Sequence, residues 1–165
     1  MSKLDAHFQD YAQYHQTGGN QLTHIFGIPL IVIAVLGWLS SVWVVSPEAW
    51  QAAGVPLAFV RWDLAVATII AVTLWYSTLD WRLGLPFGLV LYGMYWIGRT
   101  LPNSACWGFF IGGWILQGIG HAVYEKKSPA FMKNVEHLLI GPIWIFAKLT
   151  GHSRSQSQSK ARSQS

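Results

Sequence analysis

The chain holds 165 residues and 18.4 kDa, room for one domain or one small helical bundle. Apolar residues make up 52% and charged residues 11%, against roughly 25% charged in soluble domains, which excludes a disordered or collagen-like chain. The net charge of +4 draws three units from Arg154, Lys160 and Arg162 alone, so no basic face is left for nucleic acid.

The single cysteine, Cys106, excludes a disulfide scaffold and any cysteine-built zinc or iron–sulfur site. Scarce charge beside ten tryptophans points to a membrane. After a polar start, MSKLDAHFQD, no charge follows Asp10 until Glu48, and Ile25 to Val45 is nearly all apolar. About 20 helical residues cross a bilayer, so this run is long enough. No signal-peptide pattern precedes it, and the first helix is expected to act as its own insertion signal.

Asp63 to Asp80 and Arg82 to Arg99 enclose two further apolar runs, slightly short but flanked by Trp62, Trp81 and Trp96 at headgroup depth. Ala105 to Gly120 is the centre of a fourth. Leu138 to Leu149 is too short to cross and contains Pro142, which marks an interfacial or re-entrant helix. The expected fold is all-α: an integral membrane four-helix bundle with that additional short C-terminal helix. Residues 1–151 form the single membrane domain, and residues 152–165 (HSRSQSQSKARSQS) a disordered polar tail.

Four spans put both termini on one side, together with Lys3, Arg82, Lys126, Lys127 and Lys133, while the opposite loops hold only Arg61 and Arg99. The positive-inside rule then makes both termini cytoplasmic, in a bacterial inner membrane or the endoplasmic reticulum. Oligomeric state is left open.

Histidine is the ligand-grade residue present in quantity. His7 in the polar start and His152 in the tail read as solvated. His24 begins the first span and His121 ends the fourth, which a four-span topology places on one face; His15 and His137 flank them there. Thr17-Gly18-Gly19-Asn20 breaks the helix between His15 and His24 and can fold both toward one point. Gln117, His121 and Glu125 at i, i+4 and i+8 share a helix face. Such imidazoles with a nearby carboxylate suit a divalent transition metal, iron or zinc, with His15, His24, His121 and His137 as candidate ligands. Glu125 or Gln117 is placed to orient a ligand histidine through its second nitrogen. Asp63, Asp80, Arg82 and Arg99 read as span boundaries.

Two strings carry a family resemblance. Tyr14-His15 with Asn20 and His24 precedes Pro29, and Trp114-Ile115-Leu116-Gln117-Gly118-Ile119-Gly120-His121 precedes Tyr124-Glu125 and Pro129-Ala130. Together they resemble the membrane 2-hydroxy fatty acid dioxygenase family with its fungal endoplasmic-reticulum members. The resemblance runs from about Asp10 to Leu149, and is specific in the two strings and compositional between them.

It implies an Fe(2+)-dependent oxygenase that shortens 2-hydroxy fatty acids by one carbon, with 2-hydroxy fatty acid, O2 and the lipid bilayer as partners. It carries the iron-ligand role to His15, His24 and His121, and matches Gln117 and Glu125. His137 departs from the family pattern. Three histidines on an octahedral iron leave positions for the two oxygens of a 2-hydroxy carboxylate and for O2.

A bis-histidine haem on His24 and His121 is a second reading, and a non-enzymatic lipid-binding protein a third. Repeated His-x-x-His-His or Glu-x-x-His clusters of di-iron proteins are absent. Reporter fusions at the tail and at the loop holding Glu48 are expected to give opposite topology signals; equal signals would break the four-span reading.

Overall fold

A computed structural model describes residues 3–54, 62–126 and 136–152. Arg61, Lys127, Lys133, the Pro129-Ala130 pair and residues 153–165 lie outside the described residues, and with them part of the basic-residue bias and nearly all of the expected disordered tail. Among the described residues the chain is all-helical: α1 (Lys3–Ala12), α2 (Gly18–Leu39), α3 (Pro47–Ala52), α4 (Leu64–Thr100), α5 (Asn103–Ile119) and α6 (His137–Leu149), with a π-helical segment (Gly120–Glu125) directly after α5.

The first apolar run is helical only in part. α2 begins earlier, at Thr17, whose Oγ1 accepts from the Asn20 amide, and it stops at Leu39. Beyond Ser40-Ser41 the β-branched Val42, Val44 and Val45 favour extended backbone. They exchange main-chain hydrogen bonds with Trp62 and Leu64, around an isolated antiparallel bridge between Trp43 and Asp63.

α2 and α4 are long and apolar enough to cross a membrane, yet α4 is not one rod. Asp80 is extended (φ −158°, ψ 104°). Its Oδ1 accepts the Arg82 amide at 3.0 Å, capping a second arm that starts there as a new helix. The two arms fold back on each other: a Cβ at Gly84 would lie 2.7 Å from the Ser77 nitrogen. At the far end Tyr95 Oη donates to Asp63 Oδ2 at 2.7 Å. Asp63 also starts the first arm, its Oδ1 accepting the Val66 amide. The arms, residues 64–79 and 81–100, match the second and third apolar runs and measure roughly 24 and 30 Å.

α2 is central. α5 runs antiparallel along it and α4 packs against it as well, and the two come side by side at Gly37, where an added Cβ would meet both the Gly98 carbonyl and Cys106 Sγ. Small residues set the approach, as membrane helices require when lipid supplies no hydrophobic drive. A Cβ at Gly113 would sit 2.7 Å from the Gly27 carbonyl, and one at Gly98 would sit 2.3 Å from the Ile33 carbonyl.

The outer faces are apolar: Leu74, Leu89, Ile111 and Ile115 are exposed, Leu89 by 76%. At the Asp80 end the rods are roofed by α1 and α6. Leu4 of α1 and Ile143 and Ala147 of α6 are buried with Tyr76, Leu83 and Phe87 of α4, and Tyr76 Oη donates to the Leu139 carbonyl. The polar N-terminal segment thus carries a buried face that its composition conceals. His152 comes within 3.4 Å of Asp80 Oδ2, so it is docked and not part of a solvated tail. His7 lies at the surface, 3.8 Å from Glu136.

Backbone carbonyls cannot move aside as a flexible side chain can. Gly98→Val should therefore lower stability by about 1–3 kcal/mol, as overpacking does, whereas Gly93→Ala, with nothing near its Cβ, should leave it unchanged. Thermal unfolding of both variants in the same detergent checks this.

Candidate metal centre

Three imidazoles from three places in the chain meet at the roofed end. His15 follows α1, His24 lies nearly two turns into α2, and His121 sits in the π-helical segment. All three are buried, and one ring nitrogen of each lies within 4.8 Å of the others. The tautomers of the first two are set by their partners. His15 Nδ1 donates to the Tyr11 carbonyl and His24 Nδ1 to the Asn20 carbonyl, both at 2.8 Å. A carbonyl can only accept, so each Nδ1 carries the proton.

The two Nε2 atoms therefore present lone pairs to each other, only 3.0 Å apart. Two unprotonated nitrogens repel at that distance unless a cation lies against both. A proton is a poor candidate: burial pulls the His15 pKa down to about 4, against the opposing pull of the Tyr11 carbonyl. A metal ion fits. Two nitrogens about 2.1 Å from one ion at a right angle are separated by about 3.0 Å. His121 packs edge-on against both rings, at centroid distances of 5.0 and 4.9 Å, and its Nδ1 is buried without a partner.

The same distances speak against haem on His24 and His121. Axial imidazoles need centroids about 6 Å apart for metal–nitrogen bonds near 2 Å. Here they are 4.9 Å apart, with His15 against both.

Glu125 holds the turn between the first two ligands. Its Oε2 accepts from the Thr17 amide (3.1 Å), the Thr17 hydroxyl (3.0 Å) and Asn20 Nδ2 (3.1 Å), and both its oxygens lie 3.1 Å from the Gln16 amide. This differs from the expected contact with an imidazole: the second nitrogens of His15 and His24 go to backbone carbonyls, and Glu125 grips the backbone that carries them. Burial would raise the Glu125 pKa, but the amides of Thr17 and Gln16 and the side chains of Asn20 and Thr17 outweigh it and hold it at about 2.

A π-helical segment makes that reach possible. In an α-helix, residues 117, 121 and 125 drift steadily around the axis. The wider turn from Gly120 takes more residues per revolution and reverses the drift, so Gln117, His121 and Glu125 are all buried. Lys126 ends the segment at φ 54°, with its amide donating to the His121 carbonyl.

His137, the fourth candidate, is not among the three converging nitrogens. It opens α6, and its Nε2 donates to Asp10 Oδ2 at 2.8 Å, while its Nδ1 is buried without a partner. Tyr11 links it to the trio, stacking on His15 at 3.9 Å and meeting His137 edge-on at 5.8 Å. A cavity of about 370 Å³ opens from this end, lined by His15, His24, His121, His137 and Gln117 before turning apolar. Gln117 Nε2 is buried and unpartnered. The roles of Tyr11 and Asp10 carry no signal in the sequence, because nothing marks the first ten residues as packed.

A family model described as 2-hydroxy-palmitic acid dioxygenase Mpo1-like matches residues 99–153. The 2-hydroxy-palmitic acid dioxygenase MPO1 of Saccharomyces cerevisiae is 46% identical over 39 residues, which are 23% of this chain and 22% of the yeast protein. The match thus spans about a fifth of that relative. No solved structure matches the chain. Both similarities support the family that the two motifs resemble. The model match contains Gln117, His121, Glu125 and His137; His15 and His24 lie before it and are tied to it through the site itself.

An amide at position 125 would set its own N–H groups against donors that now share one charge. Glu125→Gln should therefore lower thermal stability by about 2 kcal/mol or more, the scale of hydrogen bonds to a charged group. The folded pKa lies below the ordinary 4.5, so the stabilisation is complete above that pH and disappears as pH falls toward 2. Wild type and variant should accordingly converge in stability on acidification; a constant difference across that window would contradict the clamp.

Proposed function

We propose that the chain is a membrane 2-hydroxy fatty acid dioxygenase, which takes Fe(II) on His15, His24 and His121 and releases an acid one carbon shorter than its substrate. The observation that carries the metal reading is the pair of facing Nε2 lone pairs on His15 and His24. The substrate class rests on the two family similarities and on a cavity whose polar end is the histidine cluster and whose remainder is apolar. An Fe(II) ion held there supplies Lewis-acid and dioxygen chemistry.

The chain's own residues bind, orient and exclude. The carbonyls of Tyr11 and Asn20 fix the tautomer and direction of two imidazoles. Gln117 Nε2 is available to donate to a carboxylate or hydroxyl oxygen of the substrate, which answers its unpaired burial. His137, oriented by Asp10, turns Nδ1 toward the buried side and can accept from the substrate hydroxyl. Tyr11 and Trp144 cover His15 and keep bulk water from the cluster.

The exposed apolar faces of α4 and α5 suit a bilayer. In it, the histidine end lies at the headgroup boundary on the cytoplasmic side, with both termini there. Substrate therefore does not have to leave the lipid.

Iron content and turnover separate the roles. His15→Ala, His24→Ala and His121→Ala should each lose bound iron and all conversion of a long-chain 2-hydroxy acid under O2. His137→Ala should keep iron and lose about 10–100-fold in turnover, as loss of an outer partner does. Iron lost equally from all four variants would make His137 a ligand. An iron-loaded wild type that consumes no O2 with 2-hydroxy acids would refute the activity.

A further inference from the structure

The cavity continues well past the histidines. Along α2 its wall passes from Ile28 through Val32 and Val35 to Leu39, roughly 16 Å at 1.5 Å per residue. Its far end meets Thr68 and Leu91 of α4. Thr68 Oγ1 donates to the Leu64 carbonyl at 2.7 Å, so its hydroxyl asks nothing of an occupant. The cavity is thus a slot, polar at one end only.

One side of this slot is open. α2 forms the floor, α4 one wall with Thr68 and Val72, and α5 the other with Phe110 and Trp114. α6 reaches the slot with Leu138, Leu139 and Pro142 at the histidine end, while the lining between α4 and α5 farther along comes from those two helices and α2 alone. The short turn from Thr100 to Asn103 joins these helices beyond the slot's far end. The rims are the exposed apolar faces that carry Ile70 and Ile111.

We propose that this slot is the acyl-chain site: the chain of a long 2-hydroxy fatty acid enters sideways from the bilayer between α4 and α5 and lies along α2. Its carboxylate is at the histidines and its methyl end at Leu39 and Leu91. The assignment deepens the proposed function and rests on it for the identity of the head group. Passing from lipid tails to an apolar slot changes the surroundings of a methylene little, so the slot supplies position more than affinity. It aligns the head group by fixing the tail. The depth of the closed end then sets which chain length is seated without a void or a clash.

Photolabelling tests this without turnover. Two 2-hydroxy fatty acid probes of equal length, one with a diazirine at the methyl end and one beside C3, are bound to metal-loaded protein in nanodiscs under argon. The terminal probe should label the peptides of Leu36–Leu39 and Leu91, and the other should label around Val32 and Trp114. Val35→Trp and Leu39→Trp should retain metal, drive the terminal adducts out of the slot and shift preference to shorter acids, Val35→Trp the further. If both probes instead label outward residues such as Leu89 and Ile111 in equal proportion, the slot is not the acyl-chain site. Ordered labelling in a protein that never consumes O2 would overturn the oxygenase reading and leave the slot standing; turnover with unordered labelling would do the reverse.

Discussion

One carboxylate fastens the two ends of the site to each other. Glu125 comes from the segment after α5, and every group that donates to it belongs to the turn at Gln16, Thr17 and Asn20. That turn is also the N-terminus of α2, where unpaired amides and the helix dipole favour a negative charge. The same interaction therefore caps a central helix, closes the break between His15 and His24, and draws His121 against both. Asn20 joins these tasks: its side chain donates to Glu125 while its carbonyl holds His24.

Around this fixed point the other helices are placed by packing. α2 is packed against both α5 and α4 through glycines that permit backbone contact. A helix so held can serve as a floor, with the two helices that hold it as walls. The break at Asp80 turns α4 back on itself, and α1 and α6 roof the end where it turns. Enclosure at the histidines and openness along the acyl path come from one arrangement.

Much of this was legible in the sequence because apolar runs have ends. Asp63, Asp80, Arg82 and Arg99 marked the limits of two rods, and the structure divides α4 at Asp80 accordingly. The convergence of His15, His24 and His121 was legible from topology and from the Thr17–Asn20 break. Less visible was whatever depends on exact register. The Val-rich end of the first run left the helix because pairing with Trp62 competes with it. The π-helical segment has no local residue signature, yet it decides where Glu125 points. Side-chain spacing could place Glu125 near the histidines, but could not tell a grip on their backbone from a grip on their rings. The packing of α1 was hidden, since two buried residues, Leu4 and Tyr11, carry it among ten.

The facing lone pairs of His15 and His24 also bear on biosynthesis. Both rings leave the ribosome early and lie on either side of one turn, yet the carboxylate that closes that turn belongs to the segment after α5. His121 and the Glu125 anchor arrive only after both arms of α4 and α5 have been made. Until then neither the closed turn nor the cluster of three nitrogens exists. Order of synthesis thus postpones the whole histidine cluster until the last of the long helices has been made.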